Sequence, residues 1–362
     1  MKTILCLIDN LGSGGAQRQM VNLAVLLKAQ GYDVDFAVYT DSGFYEPLLI
    51  NKDIKVRKIL KSNRVTKMFA VRSYIRKQKP DAVIAFLAVP CFLACLSKAG
   101  GGKFKVITTE RSAKLSTFNA LPNRVFNWFE RYSNVKVCNS ENARKLWDSN
   151  YPQYHGKYKV IYNPVLMTEN YDKNFGFLRD GQLHLVVAAS YQELKGSLRV
   201  IEAVKGMDKA LRSRLVIDWY GASEVVKGNT KIFDESVKRI EDYGLSSQIH
   251  LHGETPDIYK IMNQADMVGL FSTVEGLPNA ICEAMMLGKP VMMSRVSDYI
   301  ALTEGNGISF EPTVEGIREG LEAALSYSSG QLKGMGEKSY VKAKQLFSPE
   351  MIVKQWIEVI EG

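Results

Sequence analysis

Cysteine is sparse and odd in number in this 362-residue chain, histidine is sparser, and no apolar run is long enough to cross a bilayer. Each of the five cysteines (Cys6, Cys91, Cys95, Cys138, Cys282) lies in an apolar run, which suits reduced core thiols and argues against a disulfide framework. The four histidines (His155, His184, His250, His252) form no zinc-ligand spacing with them, so no metal site is expected. The longest apolar stretch, residues 82–96, falls short of the roughly 20 residues of a spanning helix and contains Pro90. Residues 3–8 imitate the start of a signal peptide, but Asp9-Asn10 cuts the run, which therefore reads as a first strand. These absences predict a cytoplasmic protein without a transmembrane anchor. There is no internal repeat and no low-complexity segment.

What is present describes a soluble globular chain, 46% hydrophobic and 23% charged, long enough for two domains with full cores. The net charge of +9 is unevenly spread. Residues 1–166 hold 26 Lys+Arg against 11 Asp+Glu, and the remainder holds 21 against 27. The first half alternates strand-like runs (3–8, 33–39, 82–87, 104–109, 135–138) with helical patterns over 16–30 and 65–77, as in an α/β domain with an open parallel sheet. Tyr162-Asn163-Pro164-Val165 breaks the pattern, and a polar stretch over 168–182 precedes a second alternation with strands at 183–188, 215–219, 248–252, 266–271 and 290–294. The predicted segments are 1–166, 167–346 and a closing helix within 347–362. Ligands of such sheets bind beyond the carboxyl ends of the strands, so two facing domains predict one cleft between them.

The densest chemistry lies in residues 272–291, STVEGLPNAICEAMMLGKPV. A strand, a turn and a helix follow one another, with Glu275 before the helix start near Pro278 and Glu283 eight positions on, about one turn into it. A helix beginning there aims its N–H groups and positive dipole end above the strand, where Gly276 permits close approach; a diphosphate fits such a place. Each carboxylate can accept hydrogen bonds from sugar hydroxyls, with Glu283 in reach of a ribose diol. The alternative is two ordinary acids, one in a loop and one on a solvated helix.

This segment, with its E-G-L-P-N turn, E-A-M and G-K-P-V, resembles the E-x7-E signature of the retaining glycosyltransferases of family 4. The resemblance extends over nearly the whole chain and is strongest over 252–310. It implies a GT-B architecture, two Rossmann-like doubly wound domains facing a central cleft, with the last helix crossing back to the first domain. It further implies transfer from a nucleotide sugar with retention and without a metal or other cofactor. The Gly276, Leu277, Pro278 and Asn279 turn and Glu283 would bind the donor, and Glu275 would serve at the reacting sugar. The product would be a lipid-linked oligosaccharide for a bacterial surface polysaccharide.

Other motifs follow the family in part. The turn containing Gly14 and Gly15 has Gln17 where a dinucleotide fingerprint needs its third glycine, yet it matches the family's first loop, near the donor phosphate and the acceptor. Lys195 occupies the family's phosphate-binding lysine position, whereas Ser190 stands where an arginine is usual; Arg199 is a possible substitute. Thr109-Glu110-Arg111-Ser112 ends a strand where relatives carry a histidine, so Arg111 and Glu110 become candidates to face the acceptor. Asp33-Val34-Asp35 looks like a metal-binding D-x-D string but belongs on the far side of the sheet.

Basic residues interleaved with aromatics over 55–79 and 116–132 suit an anionic membrane surface as well as they suit a packed helix with a charged outer face. That predicts a peripheral position on the inner face of the cytoplasmic membrane. Two other functions stay open. A GT-B epimerase would hydrolyse or invert the sugar nucleotide with no acceptor present, a phosphorylase would need a pyridoxal lysine site and a much larger chain, and a nucleic-acid or polyanion binder would explain the basic half but not the two-glutamate turn; no nucleic-acid partner is expected.

Overall fold

The computed structural model describes residues 1–112, 115–167, 171, 181–224 and 228–362. Most of the polar stretch 168–182 lies outside the described residues. The chain forms two compact units, Met1–Leu166 with Ser348–Gly362, and Met167–Phe347.

The first unit is built on seven strands: β1 (Thr3–Leu7), β2 (Asp33–Val38), β3 (Lys55–Lys58), β4 (Ala82–Ala85), β5 (Lys105–Glu110), β6 (Val135–Cys138) and β7 (Tyr158–Val160). They pair in the order β3-β2-β1-β4-β5-β6-β7, parallel throughout. The second unit has six: β8 (Leu183–Ala188), β9 (Leu215–Tyr220), β10 (Ile249–His252), β11 (Met267–Leu270), β12 (Val291–Ser294) and β13 (Gly307–Phe310). Their order, β10-β9-β8-β11-β12-β13, is again wholly parallel. Both are doubly wound α/β sheets of the Rossmann type. Their strand order reverses between β1 and β4 and between β8 and β11, and loops leaving those strands open the crevice where such sheets bind ligands.

Central strands such as β4 (AVIA) and β11 (MVGL) are buried at every position, as parallel strands covered on both faces must be. The closing helix, Pro349–Glu361, places Ile352, Val353, Trp356 and Ile360 in the core of the first unit with Ile4, Phe36 and Phe86. Its start is capped by the Ser348 hydroxyl, which accepts from Met351 N–H, and its end is held by Tyr32 Oη donating to Glu361 at 2.7 Å.

The basic segment 55–79 is more structural than its sequence suggests. Residues 55–58 form the edge strand β3, Lys58 pairs with Glu46 at 2.8 Å, and Arg72 and Arg76 donate to the Ala99 carbonyl at 3.1 and 2.7 Å, closing the end of the helix Ala88–Lys98. The Asp33-Val34-Asp35 string lies at the start of β2, the end opposite the ligand side. All five cysteines are buried and free, and burial pushes the Cys91 and Cys138 thiols up to about 12, as expected of inert core residues.

Candidate active site

In the second unit the loops after β8 and β11 meet at the switch point. The first carries Ser190 and, in a 3₁₀ turn over Glu193–Lys195, the lysine; Gly196 then adopts φ +91° and opens the helix Ser197–Lys205. A side chain on Gly196 would put Cβ 2.5 Å from the Phe271 carbonyl, so both φ and the close approach to β11 require glycine here. Thr273 N–H donates to the Leu194 carbonyl at 2.9 Å, joining the two loops.

Across that junction Lys195 Nζ donates to Glu275 Oε1 at 2.6 Å, and Ser272 Oγ donates to the same oxygen at 2.6 Å. The two residues predicted for phosphate and sugar are thus held together, both largely buried. Only Oε1 of Glu275 is engaged among the described residues. The Gly276 carbonyl accepts from Ser297 Oγ, whose backbone is left-handed at φ +56°; Leu277 and Pro278 are buried. The helix Asn279–Met286 follows with no side chain capping its start. Glu283, one turn in, is 6% exposed, which rules out a solvated helix acid.

Ser190 Oγ accepts from Gln192 Nε2 at 2.8 Å, and the main chain at Ala189–Ser190 is pressed against Gly221, where a Cβ would come within 2.1 Å of the Ala189 carbonyl. Arg199 does not take over as a free cation. Its guanidinium donates to the Phe271 and Glu193 carbonyls at 2.9 and 3.3 Å and braces the two loops.

In the first unit the turn after β1 is organised by polar side chains. Gly12 N–H donates to Asn10 Oδ1 at 2.8 Å, Gln17 Nε2 donates to Asp9 Oδ1 at 3.2 Å, and Gly14 and Gly15 begin the helix Gly15–Ala29. Gln17 thus takes the third-glycine position of a dinucleotide motif in order to hold the turn. At the end of β4, Leu87 has φ +75°, an outlier for a bulky residue and one that a functional site would explain. Leu87, Ala16, Thr109, Glu110 and Arg111 line a cavity of about 300 Å³.

Glu110 is fully occupied as a fastener: it accepts from Trp147 Nε1 at 2.9 Å and from the N–H groups of Arg111 and Ser112 at 3.0 and 2.9 Å. The Arg111 guanidinium lies 3.8 Å from the Phe86 ring centre and 6.0 Å from that of Trp356, and donates to Asn163 Oδ1 at 2.6 Å. Its Nε is buried without a partner. Burial lowers its pKa to about 9, which leaves it cationic at neutral pH. Deeper in the same cavity wall, buried Glu130 bonds Lys136 at 2.8 Å and Thr108 at 2.7 Å. Burial alone would lower the Lys136 pKa, but the charge of Glu130 holds it raised.

The family description "Glycosyltransferase Family 4" matches residues 13–167, and "Glycosyl transferases group 1" matches 169–341. The chain belongs to the family-4 glycosyltransferases. Its relatives include an α-1,4-N-acetyl-D-galactosaminyltransferase of Campylobacter jejuni named for a diNAcBac-PP-undecaprenol-linked glycan, 21% identical over 79% of this chain and 77% of that one. The amylovoran biosynthesis glycosyltransferase AmsD of Erwinia amylovora is 22% identical over 99% of this chain and 100% of its own. In fold the chain is similar to Anabaena HepE, solved with UDP and glucose, at TM-score 0.82 and 17% identity, with 100% of both chains covered. This is the GT-B fold. No helix among the described residues is long and apolar enough to cross a membrane.

The sequence alone gives no sign of the hydrogen bonds by which Ser272, Thr273 and Ser297 hold these loops, or of the strained Leu87. Sequence spacing also missed a group of possible metal ligands: Asp218, His250 and His252 offer atoms that all lie within 4.8 Å of one another. Strand pairing brings together residues that cysteine–histidine spacing does not relate. The H-x-H pair in β10 is the one local signal that pointed there.

Proposed function

We propose that this glycosyltransferase moves a hexosyl group from a UDP- or GDP-sugar to a lipid-linked or oligosaccharide acceptor in bacterial surface polysaccharide biosynthesis, with retention and without a metal. The observation that carries this reading is the Lys195–Glu275 pair between the two switch-point loops, beside an uncapped helix start. An incoming diphosphate takes the lysine and the first-turn N–H groups as donors, and Glu275 passes from Lys195 to the hydroxyls of the sugar. The bond from the anomeric carbon to the leaving phosphate then breaks while one to the acceptor oxygen forms on the same face. The leaving phosphate takes the acceptor's proton, and Lys195 stabilises the charge on it. Glu283 is assigned to the nucleotide and Arg111, with its unpartnered Nε, to the acceptor. The names of the Campylobacter and Erwinia relatives support the acceptor class.

Calorimetry with UDP and GDP tests the donor assignment. Lys195→Ala should weaken the preferred nucleotide by roughly 1.5–3 kcal/mol, the range for hydrogen bonds to charged groups. Unchanged affinity would remove Lys195 from the site. Chelator should leave transfer untouched, and consumption of the nucleotide sugar with no acceptor present would favour an epimerase.

We also place the protein in the cytoplasm, peripheral on anionic membrane through the first unit, which carries 27 Lys+Arg against 14 Asp+Glu. Leu60, Val65 and Phe69 are exposed beside Lys61 and Arg64, and Leu121, Val125 and Trp128 are exposed on the helix Leu121–Trp128, whose Arg124 lines a cavity of about 740 Å³ together with Arg131 of the following 3₁₀ turn. Exposed apolar groups beside basic ones suit a lipid headgroup region. Lys61→Glu/Arg64→Glu should pellet less with phosphatidylglycerol vesicles, and binding of the parent should fall as salt shortens the Debye length below about 8 Å. Equal pelleting with neutral vesicles, or none at low salt, would sink the idea.

A further inference from the structure

Alternation along β9 and β10 sends Ile217, Trp219 and Ile249 into the core of the second unit and leaves Asp218, Tyr220, His250 and His252 on the opposite face. His250 is directly across from Asp218, and His252 is across from Tyr220, whose ring stacks on it at 4.3 Å and 11°. Both imidazoles converge on one oxygen: Asp218 Oδ1 is 3.1 Å from His250 Nδ1 and 2.9 Å from His252 Nε2. The second carboxylate oxygen forms no hydrogen bond among the described residues. Two neutral rings satisfying a carboxylate would spread over both oxygens more readily than crowd onto one.

We infer that Asp218, His250 and His252 bind one divalent transition-metal ion of the zinc type. Two imidazoles and one carboxylate form a borderline donor set suited to zinc, nickel, cobalt or copper and poorly suited to magnesium or calcium. Metal–ligand bonds of about 2.0–2.2 Å at tetrahedral angles place neighbouring donor atoms roughly 3.3–3.5 Å apart, so the two contacts of Asp218 need to open by only a few tenths of an ångström, and the two ring nitrogens already lie within 4.8 Å of each other. Side-chain exposures of 25%, 41% and 38% for Asp218, His250 and His252 leave solvent access for a water as fourth ligand. Coordination requires each ring to present a lone pair, so a proton on His250 Nδ1 moves to its Nε2 and one on His252 Nε2 moves to its Nδ1, with no change in net protonation or oxidation state. The ion would tie the edge strand β10 to β9.

The test uses full-length chain without a polyhistidine tag, stripped with chelator, and titrated separately with zinc chloride and magnesium chloride. One zinc per chain and no saturable magnesium binding are expected. His250→Gln/His252→Gln should lose at least the roughly 10–100-fold in zinc affinity that removal of an outer-shell partner alone costs. Asp218→Asn provides an independent variant should the double variant fold poorly, with circular dichroism reporting the fold of each. The cobalt-loaded parent should give a visible spectrum without thiolate charge-transfer bands. Zinc affinity unchanged in both variants, no zinc binding by the parent, or thiolate bands in the cobalt spectrum would each overturn the assignment.

Discussion

Glu275→Gln should slow sugar transfer about 10- to 150-fold, the equivalent of roughly 1.5–3 kcal/mol for a lost charge-assisted hydrogen bond at a tenfold per 1.36 kcal/mol, while UDP or GDP binds at least as tightly as to the parent. The second half of this expectation comes from the structure. The carboxylate accepts from Lys195 at 2.6 Å, so a diphosphate that reaches the lysine competes with an anion. Neutral glutamine removes that competitor and, with it, a like charge beside the phosphates. Glu283→Ala should behave in the opposite way, with nucleotide affinity falling first, because that residue is the one proposed to hold the nucleotide. Transfer kinetics with a known acceptor and calorimetry on the same preparations separate the two. Parental turnover in Glu275→Gln would remove it from the reaction, and weakened nucleotide binding would refute the competition.

Trp356→Ala should destabilise the first unit by about 3–5 kcal/mol, the usual cost of removing a fully buried tryptophan. Trp356 is 1% exposed, stacks on Phe86 at 6.4 Å and lies within 6.0 Å of the Arg111 guanidinium. The loss is therefore a cavity next to a buried cation, and water entering it would reach Arg111. Urea unfolding followed by probes in each unit should show the transition of the first unit shifted and that of the second in place. A shift worth less than about 1 kcal/mol, below the range for such substitutions, would mean that the closing helix is dispensable to that core.

Much of the sheet was legible because central parallel strands are apolar on both faces. Residues 135–138 and 183–188 could be read to the residue from their Val and Leu content. β3 (KVRK) and β7 (YKV) could not, since an edge strand covers only one face and its charged residues read as surface. The same reason explains the overestimate of free basic charge over 55–79. In the site, Glu275, the glycine turn and Glu283 were legible because the chain supplies them consecutively. The Lys195–Glu275 pair, 80 residues apart, depends on β8 and β11 being neighbours. Arg111 is singled out in the sequence by its place at a strand end, but its seat against Phe86 is set by packing from β4 and the closing helix, which no local pattern records. The Asp218, His250, His252 group depends on the register of β9 against β10, which is decided only when the sheet forms.

Because residues 348–362 complete the core of the first unit, the second is in topological terms an insertion into the first. Lys2 bonds Glu361 across a sequence separation of 359. During synthesis the amino-terminal sheet must wait, with the surface meant for Trp356 uncovered, while an entire second unit is made and folds. Ribosome pausing, or cleavage between Phe347 and Ser348, would therefore harm the first unit and spare the later-made one, the reverse of the ordinary amino-to-carboxyl order of maturation. Chaperone dependence of this chain should accordingly concentrate in its first-made half.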